Sequence, residues 1–391
     1  MSEHVARFGV TAARGFRAAG VSAGLKSSGA LDVALVVNDG PLDAAAAVFT
    51  SNRCRANPVL WSERAVGDGR LRAVVLNSGG ANCYTGAEGF QTTHATAEEV
   101  GRHLDLAPMD VLVCSTGLIG PLFSRERMLA GVRAAAAALS EAGGRDAALA
   151  IMTTDTRPKT AAHHSPGGWT VGGMAKGAGM LAPALATMLV VLSTDAEADP
   201  AGCDAALRAA TRLTFDRLDS DGCQSTNDTV ALLASGASGV RPDPGEFGEA
   251  VRAVCHDLAM QLVADAEGAE HDIAIEVRGA AGEDDAVQVG RAVARSNLFK
   301  AAVFGRDPNW GRILAAVGTT SAAFDPRDLD VAINGVWVCR KGEPGDPPDG
   351  IDLSERSVAV TVDLKSGPAA ATVWTNDLTL AYVHENSAYS T

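Results

Sequence analysis

Three short stretches of this 391-residue sequence combine residue types that could do chemistry. The first is CSTGLIG, residues 114–120, at the end of the apolar run VLVC. A Ser-Thr-Gly turn at a strand end presents backbone N–H groups and a hydroxyl together, which is what stabilising a developing oxyanion requires. The same letters also describe an ordinary turn. The second is IMTTDTRPK, residues 151–159, an apolar entry followed by three threonines and an aspartate before a proline. It is unlike plain scaffold, but a capping and turn cluster would read the same way. The third is KGAGMLAPALATMLVVLSTDA, residues 176–196. Gly177 and Gly179 permit tight backbone geometry, Pro183 stiffens the approach, Ala186 is small, and Thr187 begins an apolar strand. A peptide bond between a small residue and threonine, held in a strained loop, can undergo an N→O acyl shift. The hydroxyl attacks the preceding carbonyl, an ester forms, and water cleaves it. The new N-terminal threonine carries an α-amine of pKa about 7.7–8.0, able to act as base for its own hydroxyl near neutral pH. The alternative is a core threonine whose hydroxyl bonds the backbone.

Elements to hold these stretches are visible in the hydrophobic pattern. Apolar, β-branched runs recur at 33–37, 73–76, 111–114, 187–192, 273–277 and 358–362, and each reads as a strand. Helical patterns lie between several of them, at 128–140, 204–213 and 246–268. In the last, Phe247, Val251, Val254, Leu258 and Leu262 recur every three or four residues and make one apolar face. Strands mixed with helices indicate an α/β or α+β fold. RPDPGE (241–246), GAAGEDDA (279–286) and RKGEPGDPPDG (340–350) read as charged, turn-rich loops, the last an excursion between two strands. No heptad run or repeat of 20–50 residues is present.

Composition narrows the function. The chain is 47% hydrophobic and 20% charged, ordinary for a globular protein, and long enough to bury roughly three quarters of its unfolded surface without staples. A formal net charge of −14 argues against nucleic acid, whose binding needs a basic face. The seven cysteines are scattered and form no C-x-x-C, so they read as reduced, mostly core residues of a cytoplasmic protein. The first residues lack the apolar stretch of a secretory signal, and the longest apolar run, Met180–Leu192, is too short to span a bilayer.

Other motifs lead nowhere. GGMAKGAGM (172–180) is a glycine-rich segment but neither a P-loop nor a G-x-G-x-x-G turn. His163 and His164 have no third ligand at metal spacing and read as a solvated loop pair, so no metal is expected. No G-x-S-x-G elbow occurs.

Seven segments, in order, resemble the glutamate N-acetyltransferase / ornithine acetyltransferase family of arginine biosynthesis. They are NSGGAN (77–82), CSTGLIG, IMTTDTRPK, KGAGMLAPALATML, SDGCQSTNDT (220–229), DPNWGR (307–312) and ENSAYST (385–391). The resemblance runs from about residue 9 to the last residue. It implies a layered α-β-β-α sandwich with a smaller C-terminal α/β part. It implies a precursor that cleaves itself between Ala186 and Thr187 into chains of 1–186 and 187–391, which stay together and pair into an α2β2 assembly. It implies a ping-pong transfer in which Thr187 takes the acetyl group of N-acetyl-L-ornithine and passes it to L-glutamate. By the same resemblance Thr116 and Gly117 form the oxyanion hole, and Thr153, Lys176, Thr187, Glu267, Asn386 and Thr391 contact substrate. No cofactor is implied. Whether acetyl-CoA serves as a second donor stays open, and an autoprocessed threonine amidase or aminopeptidase is the alternative.

The sequence departs from the family pattern in places. Cys223 and Gln224 follow Asp221-Gly222 where the family often has a second aspartate, NLFKAA (297–302) stands for N-L-V-K-T-A, and Glu270-His271 stand where Thr-Lys is usual. Exchanging that lysine for His271 removes a fixed positive charge, with consequences for affinity if the lysine balances substrate charge.

Overall fold

The structure, a computed structural model, describes residues 8–182 and 188–388. Three sheets organise it. The first has four strands in the spatial order Phe16–Val21, Val33–Asn38, Ala73–Ser78, Val111–Thr116, with only the last pair parallel. The second has five, in the order Ala45–Phe49, Thr229–Ala234, Leu189–Thr194, Thr170–Lys176, Lys159–His164. Side chains alternate between the faces of a strand. In the second sheet that alternation divides the core in two. Leu189, Val191, Ala231, Leu233, Ala47 and Met174 join the core of the first sheet. Val190, Leu192, Val230, Leu232 and Val171 point the other way, into a core closed by the helices Pro200–Leu213 and Pro244–Ala264. The helices Gly86–Leu104 and Arg125–Ala137 pack on the first sheet. The layers therefore run α-β-β-α, as the resemblance implies.

The apolar stripe Phe247, Val251, Val254, Leu258 and Leu262 is buried throughout. Its helix starts inside the segment read as a loop at 241–246. Pro244 takes the first helical position, and the Asp243 carboxylate accepts the Gly245 and Glu246 N–H groups. The segment 279–286 likewise runs into the helix Glu283–Ala294. His163 and His164 are not in a loop but in the strand Lys159–His164, half of a hairpin with Thr170–Lys176.

The C-terminal part is a six-stranded sheet. Its long strands Asp272–Ala280, Ser357–Asp363 and Ala369–Asn376 carry Ile273, Ile275, Val277, Val358, Val360, Val362 and Val373 into one core. The helices Glu283–Ala294, Asn297–Phe304 and Trp310–Val317 share that core. Residues 340–350 form the expected excursion, carrying the two-residue strand Glu343–Pro344. Five of the seven cysteines are buried; Cys54 and Cys223 are exposed, and all are free. Among the described residues no helix is long and apolar enough to cross a membrane.

Candidate active site

The strand Val111–Thr116 lies at the edge of the first sheet, and the helix Asn57–Ala65 covers that edge. Trp61 Nε1 donates to the Val111 carbonyl at 3.0 Å and Ser62 Oγ to that of Val113 at 2.8 Å. Covering an edge strand this way fixes its position and removes a site for stray pairing. The strand ends at Thr116, whose carbonyl accepts both the Gly79 and Gly80 N–H groups at 3.0 Å. Gly117 follows at φ +130°, and a Cβ there would lie 2.6 Å from the Gly80 nitrogen. Only glycine fits that approach. Asn227 clamps the arrangement, donating to the carbonyls of Ala81 at 2.6 Å and Ser115 at 2.8 Å. The segments NSGGAN and SDGCQSTNDT thus act together to hold the turn that presents Thr116 and Gly117.

Lys176 ends the strand Thr170–Lys176 and is 2% exposed. Its ammonium donates to Thr153 Oγ1 at 2.8 Å and Thr116 Oγ1 at 3.4 Å. Because Thr116 Oγ1 accepts from Lys176, its own proton is left to donate elsewhere. Burial pushes the Lys176 ammonium below the ordinary lysine range, against the pull of the Asp155 carboxylate. Asn386 Nδ2, on the C-terminal helix Leu380–Ala388, donates to Glu267 Oε2 at 3.0 Å.

These groups line one cavity of about 830 Å³. Thr116, Gly117, Thr153, Lys176, Glu267 and Asn386 all face it, although they come from five separate segments. Ala186, Thr187 and Thr391 lie outside the described residues. Met188 is described: its N–H donates to Asp228 Oδ1 at 3.1 Å. Burial raises the Asp228 carboxyl well above the usual carboxylate range, and among the described residues its Oδ2 meets no partner.

Sequence reasoning missed one wall of the cavity, Leu25–Ser28. The buried Asp32 carboxylate shapes it, accepting the N–H groups of Ala23 and Leu25 at 2.6 Å and Lys26 at 3.0 Å. The signal available was an aspartate directly before an apolar strand, which marks most turns equally well. His271 does not line the cavity. It is 3% exposed, with Nδ1 2.7 Å from Asp377 Oδ2 and Nε2 3.0 Å from the Leu353 carbonyl. The lysine-to-histidine departure is therefore accommodated in the fold beside the site. DPNWGR contributes no lining residue; Asp307–Gly311 border a separate cavity with Pro348, Asp349 and Ile351. Among the described residues no group of three or more histidines, cysteines or carboxylates is arranged to hold a metal ion.

The cavity thus brings together the Thr116–Gly117 turn, the buried Lys176 ammonium and the Glu267 carboxylate. The ArgJ family model matches residues 17–391. An arginine biosynthesis bifunctional protein ArgJ of Streptomyces avermitilis is 64% identical over 381 residues, covering 97% of this chain and 99% of that one. The protein of the same name from Thermobifida fusca is 62% identical over 382 residues, 98% and 100% of the two chains. A crystal structure of ornithine acetyltransferase complexed with ornithine, from Mycobacterium tuberculosis, is 54% identical over 46% of this chain and 96% of that one, at a TM-score of 0.45. With a family match over almost its whole length and relatives this similar from end to end, the chain belongs to the ArgJ family.

Proposed function

We propose that this chain is an autoprocessed threonine acyltransferase of arginine biosynthesis that moves the acetyl group of N-acetyl-L-ornithine to L-glutamate. The chain cleaves itself between Ala186 and Thr187. The freed α-amine of Thr187 takes the proton of its own hydroxyl, and Oγ attacks the acetyl carbonyl. The tetrahedral oxygen is met by the Thr116 hydroxyl and the Gly117 N–H. Collapse expels the amine of ornithine, which takes the proton, and leaves an acetyl ester on Thr187. The free amine of glutamate then attacks that ester, giving N-acetylglutamate and restoring the hydroxyl. An amide becomes an ester and then an amide again, so no outside energy source is required. Lys176 pairs with a substrate carboxylate and Glu267 with a substrate amine, and Asn386 and Thr391 are further substrate contacts.

The observation that carries this reading is the convergence of Thr116, Gly117, Thr153, Lys176, Glu267 and Asn386 on one cavity in a chain of this family. The two halves remain together after cleavage and pair into an α2β2 assembly in the cytoplasm. Support for the first point is the ladder between Thr170–Lys176 and Leu189–Thr194, which crosses the cleavage point with Lys176 opposite Leu189. The relatives are named bifunctional, and acetyl-CoA is the candidate second donor, to be tested by offering it with glutamate in place of N-acetylornithine.

The test is intact mass of the purified protein before and after brief exposure to N-acetylornithine. Two chains, 1–186 and 187–391, with one acetyl group gained on the second, are expected. Glutamate should then discharge the acetyl group far faster than water does. Discharge at the same rate without any amine would identify an amidase instead. A single chain that gains no acetyl would overturn the proposal.

A further inference from the structure

Beneath the cavity floor lies a buried chain of alternating charges. Lys176 Nζ is 3.8 Å from Asp155 Oδ2, Asp155 Oδ1 is 2.6 Å from Lys159 Nζ, and Lys159 Nζ is 2.5 Å from Asp265 Oδ2. All four side chains are at most 4% exposed. Burying four charges costs far more than an exposed pair returns, and such a cluster persists only when each member is paired and hydrogen-bonded. Asp155 meets that demand fully. Besides its hydrogen bond from Lys159 and its ion pair with Lys176, it accepts the Gly177 N–H at 2.6 Å and the Thr153 N–H at 3.0 Å. Asp265 accepts the Thr156 N–H at 3.0 Å and also its hydroxyl.

The chain joins the segments that carry the site. Asp155 ties Thr153 to the backbone after Lys176, so the 2.8 Å bond between those two side chains is fixed from below. Asp265 stands two residues before Glu267, whose N–H donates to the Ala178 carbonyl at 3.0 Å. We infer that Asp155, held in place by the Thr153 and Gly177 N–H groups, is a positioning residue that keeps Lys176 charged and aimed into the cavity, with Lys159 and Asp265 completing the buried charge chain. This deepens the proposed function and rests on it only in taking Lys176 to meet a substrate carboxylate.

The electrostatics agree in sign. Burial works against ionisation of Asp155, yet Lys176 and Lys159 hold its carboxyl down at about 2. Burial lowers the Lys176 ammonium most, Asp155 pulls it back up, Lys159 lowers it further, and Glu267 and Asp228 raise it. Among the described residues, Lys26 on the cavity wall is a further cation and is itself lowered by burial. Removing an opposite charge within about 4–6 Å of a buried group displaces its titration by about 1–3 pH units.

The test reads Lys176 directly, without substrate. The folded full-length protein receives a short pulse of acetic anhydride at several pH values, and acetylation of the Lys176 peptide is followed by mass. Only the neutral amine reacts. Asp155→Asn should raise the Lys176 labelling rate at a fixed neutral pH by about tenfold or more, the equivalent of one pH unit. Lys159→Met should do the opposite and slow it, since it removes a neighbouring cation while Asp155 stays. A purely structural role would loosen the site in both variants and speed labelling in both. That result, or an unchanged Lys176 profile in folded Asp155→Asn, overturns the inference. If Asp155→Asn fails to fold, the direction of the Lys159→Met change still decides, slowing supporting the inference and acceleration overturning it. Because labelling needs neither cleavage nor acetyl transfer, failure here is distinguishable from failure of the proposed function.

Discussion

At the scale of single residues, the site asks a hydroxyl and an ammonium to do different work. Thr116 Oγ1 accepts from Lys176 and lines the cavity beside Gly117, so its proton is available to an oxygen that gains charge only during reaction. An interaction made in the transition state alone affects turnover and leaves ground-state binding nearly untouched. Thr116→Ala should therefore lower kcat about 10²–10³-fold with KM nearly constant, while Thr116→Ser, which keeps the hydroxyl, recovers most of the loss. A pure KM effect in steady-state kinetics would remove Thr116 from the oxyanion hole. Lys176 sets the basic limit. Its ammonium is held below the ordinary lysine range by burial, so it loses its proton as pH rises through that lowered value. The charged form, present below it, is the one able to pair with the substrate carboxylate proposed for it. We expect kcat/KM to rise through the titration of the Thr187 α-amine and fall again where Lys176 deprotonates, below the ordinary lysine range. Lys176→Arg keeps the charge at every accessible pH and should abolish the falling limb. A limb that survives unchanged in that variant would belong to another group.

At the scale of elements, legibility depended on where each constraint originates. Strands 33–38, 73–78, 111–116 and 357–363 follow from local runs of β-branched residues, and the helix 244–264 from its apolar period. The strand Thr170–Lys176 does not announce itself. It carries Gly172 and Gly173 and reads as a glycine-rich segment, because the reason for the glycine lies far away: a Cβ on Gly172 would sit 2.2 Å from the Gly9 carbonyl oxygen. The cavity wall at Leu25–Ser28 was hidden for the same kind of reason, since Asp32 shapes it and its neighbours come from distant segments. Of the site itself, Thr116, Gly117, Thr153 and Lys176 stand in stretches whose composition drew notice unaided. Glu267 and Asn386 do not, and only the family resemblance pointed to them. Because the Gly172 contact is with backbone, it cannot be relieved by a side-chain rotation. Gly172→Ala should destabilise the fold by about 1–3 kcal/mol and shift the strand that ends in Lys176. The check is chemical denaturation together with kcat/KM. Full stability in this variant would mean that residues 9 and 172 can separate freely.

At the scale of the whole molecule, the proposed cleavage point falls inside a shared scaffold rather than between domains. The five-stranded sheet takes Ala45–Phe49, Lys159–His164 and Thr170–Lys176 from before residue 187, and Leu189–Thr194 and Thr229–Ala234 from after it. Two ladders cross the divide, Ala45–Phe49 with Thr229–Ala234 and Thr170–Lys176 with Leu189–Thr194. The central core also mixes the halves, since Val191 and Leu233 belong to the same core as Val36, Val75 and Met174. The Lys159–Asp265 and Arg14–Asp195 ion pairs join the same two halves. Cutting one peptide bond removes none of these contacts. Salt screens exposed charges but does not loosen a buried apolar core. The fragments 1–186 and 187–391 should therefore co-elute in size-exclusion chromatography in dilute buffer and in 1 M salt alike. They should part only in denaturant, in a single transition seen equally by tryptophan fluorescence and by circular dichroism. Neither fragment has a closed core of its own for the second sheet, so 1–186 expressed alone should be insoluble or unfolded and 187–391 alone should keep only its C-terminal sheet ordered, while co-expression restores a folded pair. Separation of the fragments in salt, or a folded 1–186 fragment in isolation, would mean that the layers are held by something other than the shared sheet.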